Sequence, residues 1–273
     1  MMKDSYALEN KDDRVFFNGT FKTIPLEIIE IEVLSHNVKR FRIGLPEPNQ
    51  IAGFAPTSFL AIKYSTFSLK SPFGYLIRRY TPISLSTTEG YFDIIIKRYD
   101  RKSISEYIHT LKPGDTLPFL KKAMRTSQYK PNHVKTIGLI AGGVGLAPMY
   151  QLIVHILNNP NDHTNIELLY CNSTKQDILL LDQLNQFHEK YPERIKVTYC
   201  LSQQKEDIDG FFYEKGRITK KMIQDHLSNA EKFYVCGPSG LLEAVVGKRV
   251  FFGLFGQGYL RELGYTSKQI VRY

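Results

Sequence analysis

The spacing of apolar and polar positions changes once along the chain, near residue 131. From Ile24 to about Tyr99, short β-rich segments such as SFLAIKY and GYFDIIIKRY are separated by turn-prone stretches such as LPEPNQ and STTEG. Strands at this spacing predict a small antiparallel barrel or sandwich. Within this region, SEYIHTL at residues 105–111 predicts one short helix that ends at Pro113 and Gly114.

Beyond residue 131, apolar runs alternate with segments of helical periodicity. TIGLIA, IELLYCN, IKVTYCL and KFYVC predict strands, whereas DILLLDQLNQFHEKY and ITKKMIQDHL predict helices. Such alternation predicts a doubly wound parallel sheet whose ligand binds at the carboxyl ends of the strands. We therefore expect a flexible arm at residues 1–22, an antiparallel β-barrel domain at 23–131 and an α/β domain at 132–273.

The net charge and the cysteine content of the chain indicate which kinds of partner and site to expect. The 273 residues carry a formal net charge of +9, from 36 Lys and Arg against 27 Asp and Glu, which favours acidic partners. Because no dense basic run or nucleic-acid motif occurs, we expect no nucleic-acid binding. Three cysteines without a CxxC spacing argue against a zinc site and a disulfide scaffold, so no metal site is predicted. The polar N-terminus MMKDSYALENKDDR has no apolar core, so the chain as given is expected to be soluble or peripheral.

Two motifs lie in the predicted barrel. In RRYTPIS at residues 78–84, the planar guanidinium of Arg78 can bridge phosphate oxygens. Tyr80 lies on the same strand face and offers a ring to a flat heterocycle. In DIIIKRY at residues 93–99, Lys97 and Tyr99 emerge together at the end of a strand. Read without relatives, these letters also fit a strand entering a proline turn and a half-exposed strand edge.

Two further motifs lie in the predicted α/β domain. GGVGLAP at residues 142–148 follows a strand and opens a helix, so its backbone can approach a phosphate or a ring closely. It is neither the GxGxxG fingerprint nor a P-loop. YVCGPSG places Cys236 at the end of a strand, where a small thiol can touch a nicotinamide ring. A lone cysteine there fits a small buried hydrophobe equally well.

The order of these motifs carries more information than any one of them. RxYTPxS, KxY, GGxGxxP, YVCGP and the terminal GQGYLRELGYTSKQIVRY together resemble the ferredoxin-reductase-like flavoproteins over residues 22–273. HILNNPNDHTNIELLYCN and STKQDILLLDQL are most similar to the NADH-cytochrome b5 reductases, particularly the fungal mitochondrial type. The resemblance implies bound FAD, NADH as co-substrate, and hydride transfer from nicotinamide to flavin. Two single-electron steps to an acidic haem protein such as cytochrome b5 would follow.

The resemblance also assigns site residues. Asp177 matches an acid that favours NADH, because a carboxylate repels the 2'-phosphate of NADPH. Thr81 and Cys236 are expected to align the hydride transfer, and no side chain needs to act as a nucleophile. The implied FAD contacts are Arg78, Tyr80, Thr81, Pro82, Ser84, Lys97, Tyr99, Ser105 and Val144. The implied NAD contacts are Lys97, Gly142, Gly143, Gly145, Asp177, Cys236, Gly237 and Pro238.

The chain departs from the family pattern in four places. Lys102-Ser103 stands where relatives have Gly-Lys, and Leu120-Lys121-Lys122 stands where they have a Gly-Pro turn. Val144 and Ala147 replace threonines, and each lost hydrogen bond is expected to cost about 0.5–1.5 kcal/mol. These departures keep two alternatives open: a weakened, reductase-like binding or scaffold protein, and a reductase for another one-electron acceptor.

The resemblance further implies where and how the chain acts. We expect a monomer that associates with the mitochondrial or endoplasmic-reticulum membrane by resemblance alone. The chain as given contains no predicted transmembrane segment.

Overall fold

The computed structural model describes residues 12–65, 75–99, 103–248 and 256–273. The chain divides into two compact units, Met1–Gln128 and Tyr129–Tyr273. The sequence placed this boundary three residues later, after residue 131. The Tyr129 hydroxyl is hydrogen-bonded to Asp162 at 2.8 Å and to Thr164 at 3.1 Å, which ties this segment to the second unit.

The first unit is an antiparallel sheet with one described helix. Its strands pair in the order β4-β3-β6-β1-β2-β5, with β7 beside β3. Every pairing between these strands is antiparallel, as the sequence predicts. The elements are β1 (Asn18–Ser35), β2 (Val38–Gly44), β3 (Ser58–Ser65), β4 (Tyr75–Tyr80), β5 (Tyr91–Lys97), α1 (Ile104–Thr110), β6 (Thr116–Lys122) and β7 (Met124–Arg125).

The sheet closes on itself at the residues that follow β4. An isolated antiparallel bridge joins Pro82 to Ile94 of β5, so the two ends of the strand order meet. Closure removes the exposed strand edges and makes the sheet a barrel. The RRYTPIS motif therefore contains the closing contact of the barrel.

Apolar side chains of alternate strand positions fill the barrel. Phe41, Phe92 and Phe119 are fully buried, and the rings of Phe92 and Phe119 meet edge to face at 5.3 Å. Phe16 and Phe17 belong to the same buried cluster. The folded unit thus begins before residue 23, where the sequence ended the flexible arm, because these two rings supply part of the core. Residues 1–11 of the expected arm lie outside the described residues.

The second unit is a parallel sheet flanked by helices, as the sequence predicts. The strands pair in the order β11-β10-β9-β8-β12-β13, and every pairing is parallel. Its strands are β8 (Thr136–Gly142), β9 (Asn165–Asn172), β10 (Ile195–Leu201), β11 (Glu214–Lys215), β12 (Lys232–Cys236) and β13 (Ile270–Arg272). Its helices are α2 (Leu146–Leu157), α3 (Leu181–Lys190), α4 (Lys220–His226), α5 (Ser239–Val246) and α6 (Tyr259–Glu262).

Helix α3 is shorter than the sequence predicts. The expected helix DILLLDQLNQFHEKY starts at Asp177, whereas α3 starts at Leu181. Leu180 has a φ of 55°, a left-handed conformation that interrupts a right-handed helix. Residues 175–177 form a separate 3-10 turn instead.

Within the described ranges, none of the helices combines the length and the apolar character needed to cross a bilayer.

Candidate functional site

The segment Pro82–Ser84 is held against β5 by backbone contacts. Besides the Pro82–Ile94 bridge, the Ile83 amide donates to the Asp93 carbonyl at 2.9 Å. The Asp93 amide donates in turn to the Ser84 hydroxyl at 3.1 Å. The motif is thus a strand running into a proline turn, as one sequence interpretation had it, and the turn is fixed on both sides.

Arg78 and Tyr80 occupy the end of β4 with different exposures. Arg78 is exposed, and among the described residues its guanidinium donates only to the neighbouring Ile77 carbonyl, at 3.2 Å. Tyr80 is half-buried against the barrel core, and this burial raises the pKa of its hydroxyl to about 12. The Arg78 charge lowers the Tyr80 pKa and Tyr99 raises it, both by less than burial does. The fixed aromatic ring beside free guanidinium donors fits a flat anionic ligand.

Ser103 and Ser105 organise the loop between β5 and α1. The Ser103 hydroxyl caps α1 by accepting from the Glu106 amide at 3.2 Å, and it donates to the Tyr99 carbonyl at 2.7 Å. The Ser105 hydroxyl accepts from the Tyr99 amide at 3.1 Å and lies 2.9 Å from the Ser103 hydroxyl. Ser105 is buried, so its described contacts hold the loop, and its contact with a phosphate stays a prediction.

Asp93 is a site-supporting residue that the sequence analysis did not single out. Its carboxylate is nearly buried and accepts from Arg42 Nε at 2.9 Å and from Arg42 Nη2 at 3.1 Å. Arg40 Nη1 lies 3.4 Å away. These ion pairs hold Asp93 in place, and the backbone of Asp93 is hydrogen-bonded to Ile83 and Ser84. The alternation in DIIIK placed Asp93 on a face but could not reveal its partners.

In the second unit, two backbone turns pack together at the carboxyl edge of the sheet. Cys236 ends β12 and pairs with Ala141 of β8, just before the glycine turn. At Gly145, an added methyl group would collide with the Cys236 carbonyl and lie 2.8 Å from the Gly237 nitrogen. The turn therefore requires glycine at 145 for close approach.

Gly143 has a different role in the same turn. Its φ is 52°, and no atom lies within 4 Å of where a side chain would begin. Helix α2 follows, and no side chain caps its first amides. The turn thus leaves bare backbone and uncapped amides at the edge where a nucleotide would bind, which fits a dinucleotide.

Cys236 is suited to contact rather than to nucleophilic chemistry. Burial raises the pKa of its thiol to about 12, and a hydrogen bond with the Gly237 backbone lowers it only in part. The thiol therefore stays protonated at neutral pH. All three cysteines are free thiols.

Asp177 lies in the 3-10 turn that follows β9. Its carboxylate accepts from the Thr174 amide at 3.0 Å and from the Thr174 hydroxyl at 2.8 Å, which forms a capping box. The charge is thereby held in one place beside the carboxyl edge of the sheet. Lys97, the remaining predicted nucleotide contact, ends β5 in the first unit.

Comparisons with known proteins identify the chain. The oxidoreductase FAD-binding domain family matches residues 25–125, and the oxidoreductase NAD-binding domain family matches residues 139–247. NADH-cytochrome b5 reductase 2-B of Vanderwaltozyma polyspora is 36% identical over 97% of this chain and 87% of its own length. The chain belongs to the NADH-cytochrome b5 reductase family.

Other relatives agree with this assignment. NADH-cytochrome b5 reductase 2 of Saccharomyces cerevisiae is 36% identical over 97% of this chain and 87% of that protein. The cytochrome b5 reductase domain of Ulva prolifera nitrate reductase has a crystal structure that superposes with a TM-score of 0.77. It is 29% identical and covers 92% of this chain and 97% of its own. The predicted family, fold, FAD and NADH are confirmed.

The departures from the cytochrome b5 reductase pattern have structural roles where they are described. Ser103 caps α1, as described above, and Lys102 lies outside the described residues. Lys121 and Lys122 stand over the rings of Phe16 and Phe21, at 5.2 and 4.6 Å from the ring centres. Val144 lies between Gly143 and Gly145 and is half-buried. Ser103, Lys121 and Lys122 therefore each make a contact within the first unit.

Proposed function

We propose that this protein oxidises NADH through bound FAD and passes the electrons singly to a haem protein such as cytochrome b5. The observation that carries the proposal is the close packing of the Gly142–Gly145 turn on Cys236 and Gly237. At Gly143 it leaves open space where a side chain would begin. The two matching oxidoreductase domains and the named relatives support the same activity.

The first unit supplies the FAD site in this proposal. When bound here, FAD would supply the capacity to take up a hydride from NADH and to release its electrons singly, which is chemistry that no side chain offers. Arg78 binds the pyrophosphate and Tyr80 lies against the ring system, while Thr81 lies near the flavin. The other proposed FAD contacts, by family resemblance, are Pro82, Ser84, Lys97, Tyr99, Ser105 and Val144.

The second unit supplies the NADH site. Gly142, Gly143 and Gly145 lie beside the nicotinamide, and Cys236 contacts it as a neutral thiol. Gly237 and Pro238 close on the same ring, and Lys97 is a further proposed NAD contact by family resemblance. The Asp177 carboxylate repels a 2'-phosphate, which sets the preference for NADH over NADPH. The chain's own contribution is thus alignment and electrostatics.

The proposal also covers the electron acceptor and the cellular location of the protein. The net charge of +9 suits an acidic electron acceptor, because complementary charge speeds encounter. We propose a monomer that associates with the mitochondrial or endoplasmic-reticulum membrane. A one-electron acceptor other than cytochrome b5 is compatible with the same site.

Cytochrome b5 reduction tests the proposed acceptor. The purified protein, loaded with FAD, is mixed with excess oxidised cytochrome b5 and NADH, and the haem spectrum is followed. Fast reduction at low salt that slows as salt rises is expected, since charges steer the encounter. Reduction of ferricyanide without any reduction of cytochrome b5 would leave the NADH oxidoreductase in place and remove this acceptor.

A further inference from the structure

Tyr170 places a hydroxyl group deep in the sheet of the second unit. It lies on β9, paired with Ala141 of β8 on one side and Tyr199 of β10 on the other. Tyr170 is fully buried. A buried phenol needs a hydrogen-bond partner, because leaving it unpaired costs free energy.

The Tyr170 hydroxyl joins two segments that follow neighbouring strands. It donates to the Gly143 carbonyl at 3.2 Å, and it accepts from the Leu179 amide at 3.2 Å. Burial raises the Tyr170 pKa well above its ordinary value, so the donor proton is present at every physiological pH.

Each of the two segments contains or adjoins a residue in the left-handed backbone region. Gly143 has a φ of 52° and opens the glycine turn. Leu179 precedes Leu180, whose φ of 55° is costly for a branched side chain. Asp177, with its capping box, lies two residues before Leu179. One hydroxyl thus connects the glycine turn to the loop that holds the Asp177 carboxylate.

We propose that Tyr170 is a positioning residue for NADH, which fixes the glycine turn and the Asp177 loop relative to each other. The inference rests on the proposed function, in which the turn takes the nicotinamide and Asp177 faces the other end of the dinucleotide. Tyr170 itself lies beneath both segments. Its effect on the nucleotide is therefore indirect, through the spacing of the two contacts.

Tyr170→Phe keeps the ring and removes both hydrogen bonds. In the FAD-loaded full chain, we expect KM for NADH and the calorimetric Kd for NAD+ to rise about three- to tenfold, the size of one lost hydrogen bond. The kcat value is expected to stay within about twofold of the unaltered protein, since Tyr170 touches no reacting atom. Discrimination against NADPH should weaken, because the Asp177 loop loses its anchor. The visible flavin spectrum should not change.

Tyr199→Phe is the matched control. Tyr199 is a buried tyrosine in register with Tyr170, their rings 6.4 Å apart, and its hydroxyl has no hydrogen-bond partner among the described residues. Removing the Tyr199 hydroxyl is expected to leave the KM for NADH, the Kd for NAD+ and the preference for NADH unchanged. Equal losses in both variants, or a Tyr170→Phe protein that binds NAD+ like the unaltered one, would overturn the inference. Thermal midpoints of both variants separate loss of stability from loss of nucleotide positioning.

These experiments distinguish a failure of the Tyr170 proposal from a failure of the proposed NADH oxidation. An unaltered protein that binds NAD+ but never oxidises NADH would overturn the proposed function. In that case the Kd comparison between Tyr170→Phe and Tyr199→Phe would still decide whether Tyr170 positions the nucleotide.

Discussion

At the scale of single residues, Gly145 offers the sharpest test of the nucleotide edge. In Gly145→Ala the added methyl group meets the Cys236 carbonyl and the Gly237 nitrogen, so one of the two turns must move. We expect kcat/KM for NADH to fall at least tenfold and the free energy of unfolding to fall by about 1–3 kcal/mol. Steady-state kinetics and urea unfolding measure the two effects.

Gly240→Ala is the control for that change. Gly240 lies in the first turn of α5, and nothing lies within 4 Å of an added methyl group. Alanine in place of glycine there is expected to leave the free energy of unfolding unchanged or to raise it by up to about 1 kcal/mol. Equal destabilisation in both variants would refute the close approach at Gly145.

Asp177→Asn separates the charge of this side chain from its hydrogen bonds. An asparagine oxygen can still accept from Thr174, whereas the negative charge is gone. We expect kcat/KM for NADPH to rise about tenfold, which corresponds to about 1.4 kcal/mol, with less than threefold change for NADH. An unaltered ratio of the two rates would show that Asp177 does not face the 2'-position.

At the scale of elements, Ser103 governs helix α1 and the loop before it. Ser103→Ala removes the cap on the Glu106 amide and the contact with the Tyr99 carbonyl. The free energy of unfolding should fall by about 1 kcal/mol, and FAD should dissociate more readily. Ser103→Thr keeps a hydroxyl cap and serves as the control. Identical FAD affinity in the alanine, threonine and unaltered proteins would mean that this loop does not shape the FAD site.

The elements also show what the sequence could and could not predict. Alternation predicted the barrel strands and the parallel sheet, because each buries one or both strand faces. The apolar pattern predicted a helix α3 that starts too early. The apolar run DILLL fits a helix, but Leu180 adopts a left-handed conformation that prevents one there. The pattern also could not show that Pro82 closes the barrel on Ile94, a contact between residues distant in the chain.

For the candidate site, too, the sequence predicted some residues and missed others. Motif order predicted the glycine turn and Cys236, which lie together at one sheet edge. The partners of Tyr170 lie in the glycine turn and in the loop after Asp177, and the partners of Asp93 lie on β2. Periodicity carries no information about such partners. For Tyr170, the one available signal was a phenol within an apolar strand, which must find a hydrogen-bond partner.

At the scale of the whole molecule, stability should fall at alkaline pH. Burial raises the pKa values of Tyr80, Tyr199, Tyr234 and the Cys236 thiol to about 12. The unfolded chain loses these protons from about pH 9 or 10, whereas the folded chain keeps them until about pH 12. Within that window the unfolded state binds fewer protons, so the free energy of unfolding falls as pH rises.

Urea midpoints at pH 8 and at about pH 11 measure this decline. Tyr234→Phe removes one of the raised groups, so its midpoint should fall less over the same interval than that of the unaltered protein. A midpoint that stays constant through this interval would contradict the burial of these groups.

The most direct test of the central claim is the visible spectrum of the purified protein during anaerobic addition of NADH. The account predicts a yellow protein with about one FAD per chain, whose flavin absorbance bleaches on mixing with one equivalent of NADH and returns when an oxidant is added. A colourless protein that takes up no added FAD, or a flavin that NADH leaves oxidised, would contradict it.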